Sequence, residues 1–481
     1  MEQGGLRREL GVFDVCMLTV NSVLGSAIFF AVAILPRTVP DPTAMLTLWA
    51  VGGVLTLAGA VTYAELGSMY PHAGGQYHYL KEAYGPLWGF LFGWTSFWVI
   101  QTGAIAFLAV AVADMGVALR FGDAQLIALR LPLWGRWGLD VSWSNVLACA
   151  LIAAITAVNY AGLRAGTRMQ NAVAVVKVAS LLVFIACGLA VEPVRPDYLS
   201  GSTASTSFAG MDLPAMTTAV GAAMIGLLWC FDGWYQPLLC SGEVRDPGRN
   251  LVRGMVAGVA AVTVLYVLVN VVYLRALSPL EMGQSPRVGE AAAGALFGVG
   301  GAHVMALAIG VSILGCLASC ILTGARAYLP MAQDGLFFKW LAKVHPVYRT
   351  PGGCLIAQAL WAMALAFTGT YETLGTYVIF AVFLFHTATG VAVFVLRRTQ
   401  PGRPRAYRAW GYPWTPLLFI LTSLAFVAST LWERPIESLL GLGLVVLGVP
   451  AYRWWRHRAG QTVAGDGVAI ASPEAPAQAK S

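Results

Sequence analysis

"VNSVLGSAIFFAVAIL", residues 20–35, has the composition of a helix that spans a bilayer, yet its middle is Gly25-Ser26. Glycine costs about 1 kcal/mol against alanine in a helix interior, and a peptide group freed in hydrocarbon costs more again. A span weakened at that depth needs a reason. The solvent comes first. The chain has 481 residues, 58% hydrophobic and 11% charged, with a mean hydropathy of +0.69. Soluble domains carry about 25% charged residues, and so little charge cannot cover so long a chain with polar surface. The sequence therefore reads as an all-α polytopic membrane protein. Its net charge of +7 reports topology, because basic residues of such proteins collect on the cytoplasmic side, and no nucleic-acid partner is inferred.

Apolar runs of about 20 residues, long enough to span, begin near Val12, Thr43, Pro86, Trp143, Asn171, Pro214, Leu251, Gly298, Gly352, Leu374, Thr415 and Glu437. Twelve transmembrane helices are predicted, the eighth long enough to tilt and the last short. With the N-terminus inside, most of the 30 Lys and Arg fall on the inner side, among them Arg245, Arg249, Arg253 and the run "RRTQPGRPRAYR" from Arg397. Both termini are thus expected in the cytoplasm, in a multi-pass protein of the cytoplasmic (inner or plasma) membrane. The break lies too deep, and no A-x-A-like site follows it, for the first span to be a cleaved signal peptide. All 8 cysteines lie in or at the ends of spans, so neither an extracellular disulfide framework nor a metal site is expected. Nothing calls for a cofactor. The polar tail, 459–481, reads as disordered.

The break has a counterpart. The sixth span, "AMTTAVGAAMIGLLWCFDGWYQPLLCSGEV" (215–244), is interrupted at Asp232-Gly233. Gly-interrupted spans at corresponding places of two halves mark a transporter site built from inverted repeats; a channel or a membrane enzyme has no need of that spacing. Close helix packing through small residues explains one such glycine well and two at matched positions poorly. Chain direction then assigns chemistry. The outer half of the first span starts at the break, so its free N–H groups around Ser26, Ala27 and Ile28 form a cradle for an anion. In the sixth span the outer half ends at the break, so carbonyls around Trp229, Cys230 and Phe231 face inward, joined by that of Val23. An anion cradle beside a cation cradle suits the carboxylate and ammonium of an α-amino acid.

The same residues resemble a known family. "VNSVLGSAIFF" is similar to the GSGIF signature of the amino acid–polyamine–organocation transporters. "TYAELGSMYPHAGGQYHYLKEAYGP" (62–86), "FDGWYQPLLCSGEVRDPGRN" (231–250) and "LTGARAYLPMAQDGLFFKWLAKVHPVYRTP" (322–351) resemble further stretches of it, so the likeness covers about residues 10–450. The L-type amino acid transporter branch and its bacterial relatives are the nearest likeness. That resemblance implies a LeuT-like arrangement with broken helices 1 and 6. Helices 1–5 (12–191) and 6–10 (214–396) would form inverted repeats, followed by helices 11–12 (414–453), with cytoplasmic segments at 1–11 and 459–481. It implies a sodium-independent exchanger or facilitator of neutral amino acids. The carboxylate would meet Ser26 and Ala27, beside Gly25 in the substrate site; the ammonium would meet carbonyls of Val23 and Trp229, with Cys230 or Asp232. Trp229 stands where the family often has a gating phenylalanine. Ala27 replaces the usual glycine, and its methyl narrows the cradle. The loop 118–143 lacks the cysteine by which eukaryotic members hold a glycoprotein partner, so no disulfide-linked heavy chain is expected.

Single residues complete the reading. Lys177 lies far inside the fifth span, where a lysine costs about 2.5–3.5 kcal/mol; it either snorkels or serves the site. The family resemblance favours the site, since a lysine there lies beside the broken first helix, roughly where sodium-coupled relatives hold sodium. Asp232 is either an N-cap of the inner half-helix or a contact for the ammonium. His386 either relays protons or is held by hydrogen bonds in the bundle. Glu65 and Glu243, at inner ends of spans, are expected in salt bridges. Gly315, Ala318 and Ser319 form either the side-chain pocket or a packing face. With no acidic group beyond Asp232 to meet a cationic side chain, neutral substrates are favoured. Proton-coupled symport is the alternative carrier mechanism, and a non-transporting amino acid sensor is a third possibility that the short tail disfavours.

Overall fold

The computed structural model describes residues 6–25, 27–121, 127–132, 138–194, 212–367 and 371–465. Among these, nine helices are long and apolar enough to cross a bilayer, and three shorter apolar helices accompany them: Val12–Val23, Met216–Cys230 and Gly352–Ala366. The first two are short for a stated reason, since they are the leading halves of the two interrupted spans.

Several boundaries differ from the apolar runs. The helix carrying Lys177 spans Leu163–Ala190, beginning well before Asn171, because a helix continues past the hydrocarbon edge where its first turns can be polar. The helix Val288–Gln333 is two helices joined across a kink at Gly298 (φ 69°); the left-handed backbone there requires a residue without Cβ. This is the residue at which the eighth apolar run begins. Beyond the last span the helix Gly448–Gly465 enters the tail expected to be disordered, and 466–481 lie outside the described residues. Within the stretch 118–143, expected as a loop, strands Ile127–Pro132 and Gly138–Ser142 pair antiparallel with Arg130 opposite Asp140. The alternation Leu129-Arg130-Leu131 against Leu139-Asp140-Val141 is the period-two pattern that signals such strands.

At the end of the bundle where the first helix starts, residues 9–10 bond to the segment after the second break. Glu9 and Leu10 N–H donate to Glu243 O at 2.8 and 3.0 Å, and Arg245 N–H donates to Leu10 O at 2.9 Å. The expected ion pairs form at this end. Arg326 grips Glu243 through Nε (2.8 Å) and Nη2 (3.0 Å), with both side chains fully buried. Arg397 grips Glu65 in the same bidentate way at 2.8 and 2.6 Å. Buried carboxylates are stable only when paired and hydrogen-bonded, and Glu65 also accepts from Ala409 N–H at 2.7 Å.

Candidate functional site

The helix Val12–Val23 stops because Leu24 leaves helical space (φ −68°, ψ 74°), and helix resumes at Ala27. The last carbonyls of a helix have no intrahelical partner; here side chains supply one. Lys177 Nζ lies 2.5 Å from Leu24 O and 3.0 Å from Asn21 O, on a side chain 1% exposed. Ser312 Oγ donates to Leu24 O at 3.0 Å. Cys316 Sγ lies 2.9 Å from Asn21 O. Tyr266 Oη donates toward Val23 O at 2.9 Å. Lys177 therefore does not snorkel: it is fixed on the carbonyls that the break exposes.

The helix Leu213–Cys230 ends in the turn at 231–235, and the chain re-enters helix only for the four residues Gln236–Leu239. Gly233 has φ 102°, and a Cβ there would lie 2.7 Å from Ser22 O. The two broken spans thus cross at backbone contact, which only glycine permits. Trp229 O accepts from Asp232 N–H at 3.1 Å, and Cys230 O lies 2.9 Å from Tyr266 Oη. One hydroxyl with a single proton therefore faces carbonyls from both breaks, Val23 on one side and Cys230 on the other.

Between the breaks lies a cavity of about 130 Å³, and Val23, Gly25, Trp229, Cys230, Asp232 and Gly233 all line it. Ile28, Ala318 and Lys177 lie outside its wall: Ile28 and Ala318 are buried in the hydrophobic core, and Lys177 stands behind the first break. Ser26 lies outside the described residues, as does the side chain of Ala27. Gly315 belongs to the packing face, since a Cβ on it would lie 2.3 Å from Asn21 Oδ1, and its carbonyl accepts from Asn21 Nδ2 at 3.0 Å. From that helix it is Cys316 and Cys320 that reach the cavity. Their four-residue spacing puts both on one face, a signal open to sequence reading but diluted among many small residues.

Polar groups of the wall also escaped the sequence reading. Ser22 and Gln101 line the cavity, and Ser22 Oγ and Gln101 Oε1 are buried without a hydrogen-bond partner among the described residues. Gln101 follows a π-helical turn at Ser96–Ile100, where Thr102 Oγ1 donates back to Phe97 O at 2.6 Å. Such turns re-aim side chains within a helix and recur at functional sites. Nothing in the local composition announces one.

Asp232 does not cap the inner half-helix, whose N-cap is Tyr235 without a side-chain bond. Its Oδ1 lies 3.4 Å from His386 Nε2, and His386 Nδ1 lies 2.9 Å from Tyr63 Oη. Tyr63 Oη accepts from Gln76 Nε2 at 3.1 Å, and the same amide reaches Thr389 Oγ1 at 3.2 Å. A continuous polar chain thus leads from the cavity wall toward the end of the bundle closed by ion pairs. Among the described residues, no group of three or more His, Cys, Asp or Glu is placed to hold a metal ion.

Comparison with known proteins agrees with this geometry. The chain is 30% identical to the serine/threonine exchanger SteT of Bacillus subtilis (strain 168), over 95% of this chain and 99% of that protein. It is 28% identical to the mouse b(0,+)-type amino acid transporter 1, over 92% of this chain and 86% of that protein. With the human large neutral amino acids transporter small subunit 2 it shares 28% identity, over 94% of this chain and 82% of that protein. Residues 10–438 match the amino acid permease family as a whole. Two broken helices with a small cavity between them, and a match that spans both halves of the chain, agree: the protein belongs to the amino acid permease family, within the amino acid–polyamine–organocation superfamily.

Proposed function

We propose that this protein is a sodium-independent exchanger of neutral L-amino acids that works by alternating access across the cytoplasmic membrane. The observation that carries the reading is the cavity lined by both breaks, with Gly25 and Gly233 in its wall. Amide groups after Gly25 would receive the carboxylate, and carbonyls of Val23, Trp229 and Cys230, with Asp232, the ammonium. Such a site is built from helix ends of opposite polarity. Small neutral substrates fit a volume well under the ~300–1,000 Å³ of pockets for drug-sized ligands, and the unpaired Ser22 Oγ and Gln101 Oε1 suit a hydroxyl or amide on the substrate. The activity named for the bacterial relative, serine/threonine exchange, supports the same class. Lys177, donating to Asn21 O and Leu24 O, would make sodium unnecessary there, and Trp229 would close over the bound substrate. We read the chain as twelve transmembrane helices in a LeuT-like five-plus-five inverted repeat, with helices 11–12 following. The basic end lies in the cytoplasm, without a disulfide-linked heavy chain.

Proteoliposomes loaded or not with unlabelled amino acid test this. Exchange requires that uptake of labelled serine or alanine depend on internal amino acid and ignore a sodium gradient. Decarboxylated amines and amino acid amides should fail to compete, because a site built to hydrogen-bond a missing group rejects the analogue strongly. Equal competition by a decarboxylated amine would overturn the zwitterion site. One observation favours a second reading, proton symport: His386 stands between Tyr63 and the cavity carboxylate of Asp232. Uptake into unloaded vesicles driven by an imposed pH gradient would establish it.

A further inference from the structure

A second cleft, of about 360 Å³, opens at the basic end of the bundle, remote from the cavity. Arg7, Glu9, Arg164, Arg168, Tyr348 and Arg349 line it, from three separate segments of the chain. Among the described residues Glu9 is the one carboxylate in its wall, and Arg164 Nε occupies it at 3.1 Å. The charges of Arg7, Arg168 and Arg349 are left without a counterion in the wall. Like charges gathered this way repel, and an anion held in the cleft would relieve that repulsion.

Arg349 supplies the independent sign that an anion belongs there. Its backbone is left-handed, φ 54°, a conformation that costs a non-glycine residue on the order of 1 kcal/mol or more. The surrounding loop holds it so: Arg349 N–H donates to His345 O at 2.9 Å, and His345 N–H to Thr350 O at 2.8 Å. Thr350 Oγ1 anchors the loop to Tyr160 O at 3.0 Å. Despite that support, Arg349 Nε is buried with no hydrogen-bond partner among the described residues. A buried unpaired N–H on a cation is rare and points to an absent acceptor.

We propose that this cleft binds the phosphate diester of an anionic phospholipid from the cytoplasmic leaflet. Guanidinium forks match phosphate oxygens two at a time, and a basic cluster at the membrane edge attracts anionic headgroups. The choice of a lipid over a soluble phosphate rests on what continues from the cleft. Arg168 starts an exposed stripe on its helix that passes through Ala172 to Val175, which is 51% exposed. In the cleft wall itself Val347 is 74% exposed. An acyl chain has apolar surface to follow where a free phosphate would have no use for it. The proposal uses the membrane orientation given above and is independent of which amino acid is carried.

The test is lipid binding by the full-length protein in neutral detergent, comparing phosphatidylglycerol with phosphatidylcholine of the same acyl chains by native mass spectrometry. The wild type should retain phosphatidylglycerol preferentially. Arg168→Gln/Arg349→Gln should lose that preference by on the order of tenfold, from two cationic contacts removed, while still binding amino acid. Arg453→Gln, outside the cleft, should leave it unchanged. If the double variant fails to fold, Arg168→Gln alone, an exposed change in the second turn of its helix, should weaken retention severalfold. Equal phosphatidylglycerol preference in the wild type and in whichever of these variants folds would overturn the proposal. So would displacement of the lipid by millimolar inorganic phosphate, which would assign the cleft to a soluble anion. Because the readout is lipid retention, failure of the exchange reading leaves this result untouched.

Discussion

Replacing Lys177 with methionine keeps most of the side-chain volume and removes only the ammonium. In the structure that ammonium serves Leu24 O at 2.5 Å and Asn21 O at 3.0 Å. Hydrogen bonds from a charged donor contribute about 1.5–3 kcal/mol each. Both carbonyls keep a weaker partner, since Ser312 Oγ still reaches Leu24 O and Cys316 Sγ still reaches Asn21 O. The loss at the break is therefore nearer one charged bond than two, about 2–3 kcal/mol, or roughly 30- to 150-fold in the population of the competent geometry. Overall stability should change much less, because the variant is also spared the burial of a charge, about 2.5–3.5 kcal/mol in a membrane centre. The expected signature is a protein that purifies and melts like the wild type but exchanges amino acid roughly 30-fold or more slowly in proteoliposomes. Lys177→Arg should not restore the rate, because a planar fork does not fit a site shaped for a point donor. Neither protein should respond to a sodium gradient. A fully active Lys177→Met would remove the residue from the mechanism, and sodium stimulation of the wild type would refute the argument that the ammonium completes the site.

Other perturbations separate structural from functional parts of the site. Arg326→Met leaves Glu243 buried and unpaired and should destabilise the protein by about 3–5 kcal/mol; adding Glu243→Gln should recover much of the loss in a thermal melt. Trp229→Ala should slow exchange more than it weakens equilibrium binding, as expected of a lid that controls the conformational step; an equal loss in both would make it a pocket wall. Gly233→Ala places a Cβ 2.7 Å from Ser22 O at φ 102°, and should abolish substrate binding by forcing the two breaks apart, which a binding assay on the purified variant reads. His78, on the short helix Gln76–Tyr84 outside the spans, is pushed down to about 4 by burial and then by His72 nearby. The folded state thus favours neutral His78, so its stability is full above about pH 6.5, falls as the unfolded chain takes up a proton below that, and levels off below about pH 4. The loss should reach up to about 3 kcal/mol, and His78→Gln should flatten that part of the melting-temperature profile between pH 7 and 4.

Much of this protein is legible along the chain, because a bilayer turns local composition into architecture. Long apolar runs have to become helices, since hydrocarbon offers no other partner for the backbone. Gly25 and Gly233 therefore announce interruptions whose polarity follows from chain direction alone, and Lys177 announces itself by its burial cost. What satisfies the interruptions is decided elsewhere. Tyr266, on the helix Pro247–Ala276, carries nothing in its neighbourhood to say that its hydroxyl faces Val23 O and Cys230 O together. Gln101 reaches the cavity through a π-turn, Cys316 and Cys320 rather than Ala318 face it, and Asp232 meets His386 instead of capping a helix. Sequence by itself determined where this chain must break, because the cost of a glycine or a charge in a membrane is paid locally. Which groups answer the break was decided only by tertiary structure: helices from 36 to 295 residues away along the chain supply those donors, and their rotation about their own axes follows from packing against all their neighbours at once.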